Sequence, residues 1–265
     1  MLTFRDFISG LSKLEIDHTL PVVVHTSLAA FGETRGGVDA VLGALLTSFN
    51  TVIMPAFTYK TMIIPELGPP DNAMIYGSGK DANRMAEIYR PDLPSDTMMG
   101  VVAEALRIHP KAQRSNHPIL SFTGINALDI LESQTLKEPL LPIQGVRDAG
   151  GWVLLMGVDQ TVNTSIHYAE RLAGRIQFVR WALTPQGIIP CPGFPGCSDG
   201  FEALTPRLAG AIRRVELGDA VIQAVPMVDL LDAVGAEIKA NPTALLCERE
   251  DCERCNTVRA SVTIL

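Results

Sequence analysis

Pro21-Val22-Val23-Val24-His25 and, beyond the helical pattern of Val38 to Phe49, Thr51-Val52-Ile53-Met54 are the stretches that decide the fold. Both are short, β-branched and free of polar alternation, the pattern of strands buried on both faces. The residues between Thr26 and Gly37 are polar and Gly-rich, and Pro55 stops the second run. Strand, loop, helix and strand in this order predict a βαβ unit, because a parallel pair needs a crossover and a helix usually supplies it.

The same order returns further along. Trp152 to Gly157 is an apolar strand run, a short polar turn follows, and Thr164 to Ala173 has helical spacing. Thr164 is read as the N-cap of that helix. Around these two units the periodicity predicts helices over Thr3 to Leu14, Met99 to Ile108, Ile125 to Glu132, Phe201 to Arg213 and Met227 to Lys239. It predicts a strand over Ile119 to Thr123, and a hairpin over Phe178 to Leu183 and Gly187 to Pro190. Thr58 to Asp96 holds Pro65, Pro69, Pro70, Pro91 and Pro94 and reads as a long loop over one end of the sheet. Loops of that length in compact domains are usually functional. The expected fold is α/β, a three-layer α/β/α sandwich on a largely parallel or mixed central sheet. Residues 1–265 form one domain, with a helical, Cys-bearing C-terminal portion from about 200 to 265.

Composition narrows the classes of function. A 265-residue chain that is 47% hydrophobic can bury a sizeable core,. No apolar run approaches the roughly 18 residues that span a bilayer, and no charged segment followed by an apolar stretch opens the chain. The expected setting is the cytoplasm. The net charge of −7 argues against nucleic acid or an anionic membrane as partner and suits a cationic small molecule,. A homodimer is compatible with all of this.

All five cysteines lie late in the chain: Cys191, Cys197, Cys247, Cys252 and Cys255. An odd number without an export signal speaks against a disulfide framework. Cys247, Cys252 and Cys255, with Cys197 brought near by folding, could make a four-thiolate zinc site, although the spacing is only half standard. The reading adopted is reduced thiols, with no metal in the chemistry.

Chemistry-bearing residues gather at strand ends and in loops, where α/β sheets place ligands. His25-Thr26-Ser27-Leu28 ends the first strand, and hydroxyls and backbone N–H groups ahead of a helix suit an anion. Pro55-Ala56-Phe57-Thr58-Tyr59 ends the second strand. Arg114-Ser115-Asn116-His117-Pro118 supplies a fixed cation,. His167 and Glu170 share a helix face, and a carboxylate beside an imidazole orients it and raises its basicity. Spacing alone leaves open which of His25, His117 and His167 acts, and only His167 has a carboxylate at orienting distance. No H-E-x-x-H pattern occurs, and none of the five cysteines sits in a strand-end segment with a His, which favours a general base over a cysteine nucleophile or catalytic zinc.

Taken in order, these segments, with Met99 to Arg107 and Gly151 to Gly157, resemble the aminoglycoside 3-N-acetyltransferase family, the antibiotic N-acetyltransferases outside the common GNAT fold. The specific segments are Arg114-Ser115-Asn116-His117-Pro118 and Thr164-Ser165-Ile166-His167-Tyr168-Ala169-Glu170. The resemblance implies acetyl transfer from acetyl-CoA to the 3-amino group of 2-deoxystreptamine antibiotics, and so resistance. It implies His167 as base with Glu170 beside it, and a CoA site around His25, Thr26, Ser27, Leu28, Arg114 and Ser115. The hydroxyls of Thr164 or Ser27 would serve a tetrahedral oxyanion. A polycationic acceptor would want carboxylates, with Asp71, Asp81, Asp92, Asp96 and Glu104 available and Tyr59 beside them. Ala56 stands where many members carry a hydroxyl or small polar residue. Two other readings stand beside this one: transfer to a different small amine, and a zinc-stabilised binding protein without catalysis.

Overall fold

The computed structural model describes residues 1–263. In chain order its elements are α1 (Phe4–Ser12), β1 (Val22–Thr26), α2 (Gly37–Ser48), β2 (Val52–Pro55), β3 (Met62–Ile63), α3 (Val101–Arg107), β4 (Gln113–Arg114) and β5 (Phe122–Ile125). There follow α4 (Leu128–Glu132), α5 (Leu141–Asp148), β6 (Trp152–Met156), α6 (Thr164–Leu172), β7 (Phe178–Thr184), β8 (Gly187–Phe194), β9 (Arg213–Leu217), β10 (Ala220–Pro226), α7 (Met227–Ala240) and α8 (Glu253–Thr263). The central sheet runs β4-β5-β2-β1-β6-β10-β9, and β3-β7-β8 form a smaller one.

The expected parallel pair is present: β1 lies parallel to β2 and also to β6. The remaining neighbours in the central sheet are antiparallel, so the sheet is mixed. Period-two alternation splits its interior side chains between two cores. Val23, Ile53, Val153 and Leu155 pack with α5, α6 and α7. Val22, Val24, Met54, Leu154 and Met156 pack with α1, α2 and α3 on the other side. The three layers follow from that division. Residues 264 and 265, the end of the expected domain, lie outside the described residues.

Several local expectations are corrected. The helix expected over Phe201 to Arg213 is a 3₁₀ segment, Phe201–Leu208, with Pro206 inside it. Arg213 opens β9 instead, and the β9–β10 hairpin completes the central sheet from within the portion expected to be helical. Its turn places Gly218 at φ +60, where a hairpin loop needs a left-handed residue. β9 reads poorly in sequence because it is an edge strand, partly exposed along its length,. α5 and α8 were not expected; α5 has a proline in its first turn, where no backbone N–H is needed,. The strand expected from Ile119 begins only at Phe122, because the Ile119 and Leu120 amides bond the His117 ring.

The long proline-bearing stretch is ordered by side chains that imitate a strand. Asn72 Nδ2 donates to Val179 O (3.0 Å) and its Oδ1 accepts from Val179 N (2.7 Å). Asn83 makes the same paired contact with Ile64, at 2.8 Å each way. β3 adds to the edge of β7.

Candidate active site

α6 is buried from Thr164 through Glu170, an amphipathic helix enclosed on every side rather than a surface one. Its N-cap is Asn163, not Thr164: Asn163 Oδ1 accepts from Ser165 N at 3.1 Å, and Thr164 is the first helical residue. An amide side chain caps as well as a hydroxyl, and the change frees the Thr164 hydroxyl to line the cavity ahead of the helix.

The shared face expected of His167 and Glu170 is found. His167 Nδ1 lies 2.8 Å from Glu170 Oε2. A carboxylate only accepts, so Nδ1 carries the proton and Nε2 keeps its lone pair. His167 lines the cavity, packed edge-on against Phe201 at 4.7 Å between ring centres. The other oxygen of Glu170 accepts from Arg175 Nη1. Arg175 Nη2 then donates to the carbonyls of Pro242 and Ala244, 2.8 Å each. Glu170 and Arg175 are both buried, and each supplies the counter-charge that a buried ionic group needs.

The cavity holds about 810 Å³. The end of β1 forms one side, His25 through Leu28; Tyr59, Met98, Phe194 and Ser198 are on others. Gly100, at φ +82, brings α3 against β1, where an added Cβ would lie 3.2 Å from Thr26 O. Two buried polar atoms at this end, His25 Nε2 and Thr26 Oγ1, have no hydrogen-bond partner among the described residues. Buried groups of that kind are normally satisfied, and a ligand in the cavity would satisfy them. Burial holds the Tyr59 phenol up to about 12, so it is neutral.

The three histidines separate on geometry. Burial pushes both His25 and His117 down to about 4. His117 lies outside the cavity lining and spends Nδ1 on the amides of Ile119 (3.1 Å) and Leu120 (2.9 Å). Only His167 has a carboxylate behind it and the cavity in front. The buried pair has a consequence for stability. Their folded pKa values lie below the ordinary 6.5 or so of an unfolded histidine, so the unfolded chain takes up protons first as pH falls. Stability from their neutral forms is therefore complete above about pH 6.5 and is lost between 6.5 and 4, at about 1.4 kcal/mol per pH unit for each. Urea unfolding at pH 7 and pH 5 should show the loss, and a flat profile would refute it.

Arg114 and Ser115 are corrected. They do not line the cavity. Arg114 donates Nε to Ser121 Oγ (3.0 Å), Nη2 to Ala56 O (2.7 Å) and Nη1 to the carbonyls of Pro91 and Leu93. Ser115 Oγ accepts from Phe122 N at 2.8 Å. Pro118 O accepts from Thr58 and Thr61. The Arg-Ser-Asn-His-Pro segment is a clasp that ties β4, β5 and the turn after β2 together, and the Arg114 donors go to carbonyls and the Ser121 hydroxyl. Arg114→Met is expected to destabilise the fold by about 3 kcal/mol, since buried acceptors lose charged partners, with CoA affinity of the folded protein unchanged in calorimetry. A large rise in Kd for CoA at unchanged stability would return Arg114 to the ligand.

The acidic residues proposed for a cationic acceptor are dispersed. Asp71 is exposed and borders a separate hollow with Glu253 and Asn256. Glu104 is paired with Arg107 at 2.6 Å and accepts from Ser95 N. Asp96 Oδ1 accepts from Met98 N at 3.0 Å, a turn cap one residue from the lining. The carboxylate that does line the cavity among the described residues is Asp199, and Arg254 lines it as well. Neither was expected from sequence, nor was Arg175. Arg175 follows Gly174, whose φ of +82 ends α6. A basic residue just past a helix normally reads as a partner for the helix dipole. The four cysteines 197, 247, 252 and 255 come together in a buried cluster, all of them free thiols.

Comparison with known proteins places this geometry in context. The family model described as aminoglycoside 3-N-acetyltransferase matches residues 23–238. A Bacillus subtilis (strain 168) protein, the SPbeta prophage-derived aminoglycoside N(3')-acetyltransferase-like protein YokD, is 29% identical over 184 residues. That match covers 63% of this chain and 64% of YokD, a little under two thirds of the relative's length. Among solved structures, aminoglycoside acetyltransferase AAC(3)-IVa as apoenzyme superposes with TM-score 0.80 at 22% identity, covering 98% of both chains. AAC-IIIb in a binary complex with CoASH superposes with TM-score 0.71 at 20% identity, over 90% of this chain and 96% of that one. At such identities the structures establish the fold.

Proposed function

This chain belongs to the aminoglycoside 3-N-acetyltransferase family, and on that premise we propose that it is an acyltransferase moving the acetyl group of acetyl-CoA to the 3-amino group of a 2-deoxystreptamine aminoglycoside, with antibiotic resistance as the result. The observation that carries the reading is the His167–Glu170–Arg175 relay, whose imidazole faces the cavity opposite the end of β1. The complex of AAC-IIIb with CoASH, and that of an AAC(3)-IVa variant with a gentamicin, support the two ligand classes. We read residues 1–265 as one such domain, acting in the cytoplasm, where thiols stay reduced.

In this mechanism His167 Nε2 takes a proton from the acceptor ammonium, because only the free amine has a lone pair to attack a thioester. Imidazole is the side chain whose ordinary titration suits this at neutral pH. Glu170 holds the tautomer and stabilises the imidazolium that forms, and Arg175 holds Glu170 in place from behind. The amine forms its C–N bond at the acetyl carbonyl. The hydroxyls of Thr164 and Ser27 line the cavity and are the side-chain donors available to the oxyanion,. As the C–S bond breaks, the proton held on His167 goes to the departing thiolate, and the acylated nitrogen releases its second proton to solvent. His25, held neutral by burial, and Thr26 offer polar atoms to the bound ligands rather than a proton exchange at pH 7. No residue in this scheme needs a metal.

A second reading, transfer to a different small amine, is favoured by one observation: Asp199, paired with Arg249, is the one carboxylate among the described residues in a lining otherwise rich in Met54, Met98, Met99, Phe57 and Phe194. Acetyl-CoA-dependent thiol release with gentamicin-type and neomycin-type acceptors decides between them. Turnover supports the aminoglycoside; CoA binding with no turnover of any 2-deoxystreptamine compound transfers support to the other amine.

A further inference from the structure

We propose that Cys197, Cys247, Cys252 and Cys255 bind one zinc ion as a tetrathiolate centre, and that this centre holds the Gly196–Asp199 and Arg254 wall of the cavity in place. The four sulfur atoms lie within 4.8 Å of one another. A tetrahedron with Zn–S bonds of about 2.3 Å has edges of about 3.8 Å, so rotamer adjustments of about an ångström close it. The sulfurs surround one point, which fits a single ion rather than an iron–sulfur cluster, whose ligands are spread around a larger core. All four thiols are free and buried, at 0 to 5% exposure.

Packing does not account for the cluster. Among the described residues its apolar company is Leu246, itself only partly buried. The ligands come from three places: Cys197 after β8, Cys247 after α7, and Cys252 and Cys255 at the start of α8. α8 is polar along most of its sequence, with Val258 as its buried apolar contact with the core, so a metal bond at its start would add to a thin packing contact. Binding releases the four thiol protons as four Zn–S bonds form and leaves a site of charge −2. The Arg249 guanidinium lies against Cys247 and Cys252 and also pairs with Asp199 at 3.3 Å, the kind of surrounding hydrogen bonding that orients thiolate ligands.

The centre reaches the cavity through the chain itself. Cys197 stands between lining residues Gly196 and Ser198, and Arg254 next to Cys255. Arg254 Nη1 donates to Gly196 O at 2.9 Å, joining the two segments. The carbonyls of Pro242 and Ala244 that hold Arg175 precede Cys247 on the same strap. The odd cysteine count is resolved as well, because Cys191 lies apart in β8.

The test is elemental analysis of the full-length protein, purified from zinc-replete culture, with thiol titration before and after a mercurial releases the metal. One zinc per chain is expected, with four thiols masked until release. Cobalt(II) substitution should give the thiolate-to-metal charge-transfer bands of a tetrahedral site. Cys252→Ser should lose the zinc and lower the unfolding temperature, while Cys191→Ser should keep it. Should Cys252→Ser fail to fold, the wild-type stoichiometry and the cobalt spectrum still decide. Metal at background with all the thiols reactive, iron in place of zinc, or full zinc retained by folded Cys252→Ser would each overturn the proposal. Stoichiometry does not depend on acceptor or activity, so a failed acetyl-transfer assay leaves this result standing.

Discussion

His167→Ala is expected to lower kcat for acetyl transfer by about 10²-fold to 10⁴-fold, the range attached to a positioned general base. The argument is geometric. Nε2 is the only ring nitrogen among the three buried histidines that combines a cavity-facing position with a carboxylate bonded behind it. Removing the ring leaves the cavity, Thr164 and the end of β1 untouched, so CoA affinity by calorimetry should stay within about twofold if binding and proton transfer are separate functions. The loss should appear in kcat and kcat/KM together. A rate unchanged from wild type would remove His167 from the chemistry, and the base would then have to be sought in solvent or on the acceptor. Glu170→Gln belongs to the same experiment: an amide can offer either an oxygen or an N–H to Nδ1, so the tautomer is no longer enforced and kcat should fall while the fold survives.

Arg175→Ala is expected to cost about 3–5 kcal/mol of stability, because it leaves the buried Glu170 without its cationic partner. Its effect should exceed that of losing any exposed ion pair, which is worth at most about 1 kcal/mol. Arg175 is 8% exposed and Glu170 1%, so water cannot take over as partner. Urea unfolding measures the difference. The control is the double substitution Glu170→Leu with Arg175→Met, which removes both charges and should recover much of the stability while acetyl transfer remains lost. Arg175→Ala within about 1 kcal/mol of wild type would show that the pair contributes no more than a surface bridge. Arg175 also fixes the Pro242 and Ala244 carbonyls, so part of the loss is expected as loosening of the chain that leads to Cys247.

Much of this molecule can be read from local pattern. The β1 and β2 runs, their parallel pairing, the strand before α6 and the three-layer class follow from β-branched runs and helical spacing. The pairing of His167 with Glu170 needed only the knowledge that residues three apart on a helix are neighbours. Reading failed where a residue's partner is distant in the chain. Arg114 looked like a phosphate ligand because a free guanidinium is one, yet Ala56, Pro91, Leu93 and Ser121 take its donors. Asp71 and Glu104 looked like an acidic pocket because they share a loop region, yet they face different surroundings. β9 has no counterpart in the expected elements beyond Arg213, because an exposed edge strand carries little apolar signal,.

Sequence by itself determined the secondary-structure grammar, the strand-end placement of His25 to Leu28 and the His–Glu pair, since each depends on residues that are neighbours along the chain or around a helix turn. Tertiary structure alone decided that Arg175 completes the pair, that Arg114 and His117 serve the fold, and that cysteines separated by up to 58 positions, 197 to 255, meet at one point. The physical reason is common to all three. A buried charge, a buried imidazole or a thiol takes its role from the partner that satisfies it, and that partner is chosen by how the sheet and its helices close, not by spacing along the chain.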